Sequence, residues 1–225
     1  MEIKIYNRNI IIETGILFAL FYLPSYLFQN VISDPSAFND FMFNIQLWII
    51  YLPQIALIIY IIHINTKKNY SDFGLIKLKL KHIPTIFLTT AGLVLIVGII
   101  QLIIYLIPYS TPAENMFLWD FHNIKLIPLV FITSLLTGYS EELFFRSYLY
   151  TRLEELKLGR MHILITVNLI FALGHFYEGY EGGINAFVLG SYFSLIFIWR
   201  RNIHITAIVH GLYNFSVLMI SSWLG

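Results

Sequence analysis

The sequence contains no cysteine and few charged residues. With no cysteine among its 225 residues, disulfides, cysteine-ligated zinc, iron–sulfur clusters and thiol nucleophiles are all excluded. Charged residues make up only 12% of the chain, against about 25% in a typical soluble domain. The net charge of +1 provides no basic surface, so we expect no nucleic-acid partner. Any chemistry must come from carboxylates, histidines, amides and hydroxyls.

Apolar residues take the place of the missing charge. They make up 58% of the chain, against about 45–50% in soluble domains. A soluble domain of this size must cover its surface with polar groups, so one core cannot hide this surplus. The composition therefore predicts an all-α, polytopic transmembrane helix bundle, with the lipid bilayer as its partner.

Seven apolar stretches are long enough to cross a bilayer, which takes roughly 20 residues. They lie near 10–31, 45–64, 83–107, 126–150, 163–178, 184–199 and 203–224. The first is not a cleaved signal peptide, because its apolar run is too long and no small-residue cleavage site follows. The fifth and sixth stretches are shorter than the others.

The basic residues predict the orientation of these spans. If the N-terminus is cytoplasmic, twelve of the fourteen lysines and arginines fall in cytoplasmic segments: 1–9, 65–82, 151–162 and 200–202. The loops on the other side hold only Lys125. This asymmetry follows the positive-inside rule. We therefore predict seven helices, with the N-terminus inside and the C-terminus outside.

The remaining basic residue, Arg146, lies inside the fourth predicted span. Glu141, Glu142 and Arg146 are three ionisable groups at membrane depth, where such groups are costly unless they are paired or face a cavity. Glu142 and Arg146 are four residues apart and can form an ion pair on one helix face. Glu141 lies about 100° around the helix and is left to act as a general base. A purely structural ionic network is the alternative.

Two later spans also carry polar side chains. The segment FALGHF places His175 in the fifth span, one turn after Phe171. The segment HGLYN places His210 and Asn214 on one face of the last span. A single buried histidine is more often structural than catalytic. Two histidines on separate helices, with an amide one turn away, favour an active site.

These motifs, in this order and on separate helices, resemble those of the CPBP family of intramembrane proteases. That family includes the CaaX prenyl-endopeptidases and bacterial, Abi-like members linked to bacteriocin processing or immunity. Its pattern of EExxxR, FxxxH and HxxxN or HxxxD is met at every signature position. The resemblance covers residues 120–225, which we expect to form the protease core. Residues 1–119 are expected to supply N-terminal transmembrane helices and a basic cytoplasmic loop.

The resemblance implies an intramembrane endopeptidase that hydrolyses peptide bonds in membrane-associated substrates with a glutamate-activated water. Glu141 would be the base, and His175 would help to hold the water. His210 and Asn214 would donate to the developing oxyanion. Two residues would support the site: Glu142 and Arg146. The expected partner is a peptide or protein substrate, including membrane-anchored ones, and the expected location is the cell membrane, in bacteria the inner membrane.

Several alternatives remain open at this point. No cofactor is predicted, but zinc is the alternative, with Glu141, His175 and His210 as its ligands and Glu142 as the base. Against zinc, HExxH is absent and helical spacing directs Glu142 toward Arg146. A non-enzymatic bacteriocin-immunity or membrane scaffold protein could use the same fold. A proton-coupled transporter could use Glu141 and the histidines as relays.

Overall fold

The computed structural model describes residues 2–24, 35–64, 68–106, 123–176 and 179–224, and within these ranges it consists of helices joined by short turns and irregular segments, with no strand. Its helices are α1 (Glu2–Phe21), α2 (Phe41–Ile64), α3 (Ile83–Leu106), α4 (Ile127–Glu142), α5 (Tyr150–Glu155), α6 (Arg160–Leu173), α7 (Gly179–Arg200) and α8 (Ile203–Leu224). A π-helical segment, Leu143–Leu149, joins α4 to α5 without a break. The prediction of an all-α bundle is confirmed.

Five helical stretches are long and apolar enough to cross a bilayer: Phe41–Ile64, Leu80–Ile103, Ile124–Glu155, Gly179–Arg200 and Ile203–Ile220. Large apolar side chains such as Phe87 and Leu95 are exposed on α3, as expected of a surface that faces lipid. The protein is therefore a multi-pass membrane protein.

The other two predicted spans differ from the structure in length or position. The predicted fifth span, 163–178, corresponds to α6, which has 14 residues and rises about 21 Å, short of a bilayer core of about 30 Å. The predicted first span, 10–31, overlaps α1, which begins at Glu2 and carries charged residues along its first half. Residues 25–34 of that prediction lie outside the described residues.

Two glycines allow α4 and α8 to cross with their backbones in contact. A Cβ on Gly138 would lie 2.6 Å from the backbone nitrogen of Gly211 and 2.8 Å from the carbonyl oxygen of Ala207. A Cβ on Gly211 would lie 2.7 Å from the Cα of Leu135. Small residues are what permit such close approach between helices in membranes. Gly138 is one turn before Glu142 and Gly211 follows His210, so this crossing brings the two polar motifs together.

The π-helical segment forms the centre of the core. All seven of its residues, Leu143–Leu149, are buried. The rings of Phe144 and Phe145 lie 4.5 and 4.8 Å from the ring of Tyr22, which places the end of α1 against the segment. The ring of Phe73, from the segment that precedes α3, stacks on Tyr148. Helix α4, the π-helical segment and α5 form one continuous rod. This rod is packed on all sides just beyond the two glutamates.

The first helix is attached to the core by ionic and phenolic contacts of Tyr6 and Glu13. Glu13 accepts hydrogen bonds from the Tyr148 hydroxyl and the Arg152 guanidinium. Tyr6 donates to Glu155, and Arg152 also pairs with Glu155 at 3.2 Å. These contacts join the segment 1–9, predicted to be cytoplasmic, to the end of the α4–α5 rod, whose following loop is also predicted to be cytoplasmic.

Candidate active site

Glu142 and Arg146 form a fully buried ion pair. Neither side chain has any exposed surface, and the Arg146 Nη1 atom lies 2.9 Å from the Glu142 Oε1 atom. The ion pair predicted from the four-residue spacing is therefore present, even though Arg146 lies in the π-helical segment rather than in an α-helix. The guanidinium carbon also lies 4.3 Å from the centre of the Phe171 ring, a distance typical of a cation–π contact.

His210 connects the two glutamates. Its Nδ1 atom lies 3.0 Å from Glu142 Oε1, and its Nε2 atom lies 3.7 Å from Glu141 Oε2. An ionised carboxylate can only accept a hydrogen bond, so Nδ1 carries the proton in the contact with Glu142. Nε2 is then directed at Glu141. The sequence did not predict the contact between His210 and Glu142, because no spacing rule relates α4 to α8.

Glu141 is the more accessible of the two carboxylates. Its side chain is 20% exposed, whereas that of Glu142 is fully buried. Its Oε2 atom is buried and makes no hydrogen bond within the described residues. A partly accessible carboxylate with an unsatisfied oxygen can accept a proton from a bound water. The structure thus separates the two glutamates as helical spacing predicted.

His175 lies in the turn after α6, so the prediction that it sits within the fifth helix is wrong. The helix ends at Leu173, and the backbone N–H of His175 donates to the Ala172 carbonyl at 2.9 Å in a tighter turn. The His175 Nδ1 atom is 2.9 Å from the Phe171 carbonyl oxygen. A carbonyl only accepts, so Nδ1 carries the proton, and Nε2 of the neutral ring is an acceptor.

The ring of Phe171 lies between the two histidines. Its centre is 4.6 Å from that of His175 and 6.2 Å from that of His210. Asn214 lies one turn beyond His210 on α8 and is half-buried. No hydrogen bond engages the Asn214 side chain in the part of the chain that the structure describes. The structure thus joins Glu141, Glu142 and His210 directly, whereas His175 is connected to His210 only through the ring of Phe171.

Three residues that sequence reasoning missed surround Arg146. The amide oxygen of Asn168, on α6, accepts from Arg146 Nη2 at 3.3 Å and from the Ser194 hydroxyl at 3.2 Å. Gly190 on α7 lies against the same atoms. An amide in the apolar run TVNLIF is the same signal that singled out His175, so Asn168 could have been found. Ser194 and Gly190 carry no such signal.

A second set of polar contacts joins α2 to the face of α4 that carries Glu141. The Trp48 indole donates to the Thr133 hydroxyl at 2.9 Å. Tyr51, one turn further along α2, hydrogen-bonds the Thr137 side chain and lies within electrostatic range of Glu141. Thr133, Thr137 and Glu141 follow each other at four-residue spacing on one face of α4. This face of α4 is therefore polar from Thr133 to Glu141.

The zinc alternative requires Glu141, His175 and His210 to lie together as ligands. Among the described residues, no group of three or more histidines, aspartates and glutamates is close enough to hold a metal ion. The set of Glu141, His175 and His210 is thus not arranged as ligands. Glu142, the base of that alternative, is occupied by Arg146 and His210.

The chain was compared with known protein families, curated proteins and solved structures. The family model of the Rce1-like, type II CAAX prenyl endopeptidases matches residues 123–216. The match contains all three motifs, from Glu141 to Asn214. No curated protein matches the chain, and no solved structure does. The resemblance to the CPBP family drawn from the motifs is confirmed by this match.

Proposed function

From the match of residues 123–216 to the Rce1-like, CPBP-type endopeptidase family, we propose that this chain is an intramembrane endopeptidase that uses a glutamate-activated water. One observation carries the proposal: Glu141, partly accessible, lies 3.7 Å from a histidine whose other nitrogen is held by the buried pair of Glu142 and Arg146. A base oriented beside a fixed imidazole is the arrangement that peptide hydrolysis requires.

The reaction begins with proton transfer from water to Glu141. The water oxygen attacks the scissile carbonyl carbon while Glu141 takes the proton, and His175 Nε2 accepts a hydrogen bond from the same water. The carbonyl oxygen becomes an oxyanion, toward which the amide of Asn214 and a protonated His210 Nε2 donate. Glu141 then returns its proton to the leaving amine as the C–N bond breaks.

Glu142 and Arg146 act through His210. The carboxylate of Glu142 accepts a hydrogen bond from Nδ1–H of His210 at 3.0 Å and so holds the ring with Nε2 toward Glu141. Arg146, at 2.9 Å, supplies the counter-charge for a carboxylate that would be very costly to bury alone. The pair thus determines which nitrogen of His210 faces Glu141.

We further propose that hydrolysis requires no metal ion, since the carboxylates and histidines of the site are arranged around hydrogen bonds and not as ligands. Incubation of the purified protein with a divalent-metal chelator should leave peptide cleavage unchanged. Loss of cleavage, restored by added zinc, would establish the metalloprotease alternative.

The substrate is a peptide or a protein at the membrane, since the base lies on a helix long enough to span the bilayer. Tethering in the bilayer would raise the local concentration of such a substrate near the site. We place the protein in the cell membrane, the inner membrane in a bacterium.

Comparative membrane proteomics tests the proposal. Cells with the wild-type chain are compared with cells carrying Glu141→Gln, and Glu181→Gln on α7 serves as the matched control. Substrates should accumulate uncut in the Glu141→Gln cells alone. Identical peptidomes in all three strains would favour the non-enzymatic alternative. Solute flux into liposomes that is lost in Glu141→Gln would favour the transporter.

A further inference from the structure

Asn168 is held in one orientation by its neighbours. The residue is fully buried in α6. Its Oδ1 atom accepts from Arg146 Nη2 at 3.3 Å and from Ser194 Oγ at 3.2 Å. Its Nδ2 atom donates to the Leu164 carbonyl oxygen at 2.8 Å. Because a flipped amide would point its N–H groups at a guanidinium and lose the bond to Leu164, only one orientation satisfies all three partners.

The space around this contact exists only because residue 190 is glycine. A Cβ at Gly190 would lie 2.7 Å from Arg146 Nη2, 2.9 Å from Asn168 Oδ1 and 3.0 Å from Phe171 Cδ1. A methyl group on α7 would therefore collide with both partners of the hydrogen bond and with the ring that covers the guanidinium. Helix α6, helix α7 and the π-helical segment thus meet at the guanidinium of Arg146.

Arg146 and Glu142 connect Asn168 to the histidine beside Glu141. Arg146 presents Nη2 to Asn168 and Nη1 to Glu142, at 3.3 and 2.9 Å. Glu142 in turn accepts from His210 Nδ1 at 3.0 Å. A planar guanidinium that is fixed at one nitrogen is fixed at the other. The orientation of Asn168 is therefore transmitted through two rigid contacts to the imidazole that faces Glu141.

We propose that Asn168 is a positioning residue of the site: it sets the guanidinium of Arg146 and, through Glu142, the orientation and tautomer of His210. Only the kinetic consequence of this inference rests on the proposed endopeptidase function. Asn168 lies outside the three signature motifs and makes no contact with Glu141 among its described hydrogen bonds.

Kinetics of Asn168→Leu provide the first test. The variant keeps the side-chain volume and removes the acceptor, and Asn44→Leu is the matched control. Asn44 is also a fully buried amide in a helix that meets α4, where it accepts from Thr133 at 3.0 Å. The probe is an internally quenched peptide built on a cleavage site found in the comparison of wild-type and Glu141→Gln membranes, assayed with the full chain in nanodiscs.

Asn168→Leu should lower kcat by about tenfold or more, since small misplacement of a catalytic group has effects of this size. KM should stay within about twofold, because substrate binding is not altered. Asn44→Leu should leave kcat within about twofold at a comparable thermal midpoint. Gly190→Ala should reproduce the selective loss in kcat. Equal losses of kcat in Asn168→Leu and Asn44→Leu would overturn the proposal.

The tautomer of His210 provides a second test that needs no substrate. Nitrogen NMR of the protein labelled with ¹⁵N-histidine, with His210 assigned from the signal lost in His210→Gln, should show the proton on Nδ1 in the wild type. The signal should change in Asn168→Leu and stay unchanged in Asn44→Leu. An unchanged signal in both variants would overturn the positioning role. If the wild type cleaves no peptide, the proposed function fails, and this measurement still decides the role of Asn168.

Discussion

Two neighbouring glutamates at the end of α4 have different environments. Glu142 is fully buried between Arg146 and His210. Glu141 is partly exposed, and its closest charged-group contact in the described residues is the 3.7 Å approach of His210. Glu142 is enclosed with its cation and its imidazole partner, whereas the exposed part of Glu141 lets a water reach that carboxylate. The proposed roles of support and base rest on this difference in packing.

This difference predicts different stabilities for two conservative variants. Glu142→Gln should destabilise the protein by about 3–5 kcal/mol, because it leaves the Arg146 guanidinium buried without its counter-ion. Glu141→Gln should change the stability by no more than about 0.5 kcal/mol, as expected away from packed networks. Thermal unfolding in detergent measures both. Equal destabilisation would show that Glu141 also holds the fold together.

Asn214 is predicted to act on the reaction and not on the fold. Its side chain is half-buried and makes no hydrogen bond within the described residues, so its removal breaks no side-chain hydrogen bond there. Asn214→Ala should lower kcat by about 10²–10³-fold if its amide stabilises the oxyanion. Ser216→Ala, exposed on the same helix, is the control. A loss confined to KM would place Asn214 in substrate binding instead.

The crossing of α4 and α8 is the decisive contact between elements. Gly138 and Gly211 let the two backbones touch, and the same crossing places His210 against both glutamates. A substitution at the crossing should therefore affect stability and activity together, unlike a substitution at the reacting groups.

Gly138→Ala tests this coupling. The added methyl group would lie 2.6 Å from the Gly211 nitrogen, so the helices must separate. We expect destabilisation by about 1–3 kcal/mol, as for overpacked cores, together with loss of cleavage. Gly98→Ala on α3, where a Cβ meets nothing within 4 Å, should leave both unchanged. A stable Gly138→Ala protein without activity would show that the crossing serves the site alone.

Sequence reasoning recovered what depends on spacing within one helix. The ion pair between Glu142 and Arg146 and the separate direction of Glu141 both follow from helical geometry. The contact of His210 with Glu142 depends on how two distant helices cross, which no local pattern encodes. The end of α6 before His175 was missed because the apolar run continues through Gly174 to Phe176.

At the scale of the whole molecule, the basic residues predict which loops face the cytoplasm. The chain has no cysteine, so single cysteines can be introduced without interference from native thiols. Lys77→Cys, exposed before α3, should react with a membrane-impermeant maleimide only from the cytoplasmic side. Lys125→Cys, just before α4, should react only from the outside. Labelling of both from the same side would refute the predicted topology.

The positions of the five long apolar helices were also predictable, since hydropathy acts over stretches of about 20 residues. The bounds of α1 and α6 were less predictable. α6 is shorter than a bilayer, and its neighbours bury Val167, Asn168 and Phe171. A helix covered by protein on one face does not need to satisfy the length rule for an isolated span.

The π-helical segment sets the number of residues between the two glutamates and α5. Its wider turn, in which Tyr150 N–H donates to the Phe145 carbonyl five residues back, holds one residue more than an α-helical ladder would. The wider turn absorbs the added residue, so the helix that follows keeps about the rotation that a regular α-helix one residue shorter would give. Arg152 therefore still faces Glu13, although the chain between Glu142 and Arg152 holds one residue more. The segment thus accommodates an extra residue beside the two glutamates and keeps the contact with the first helix.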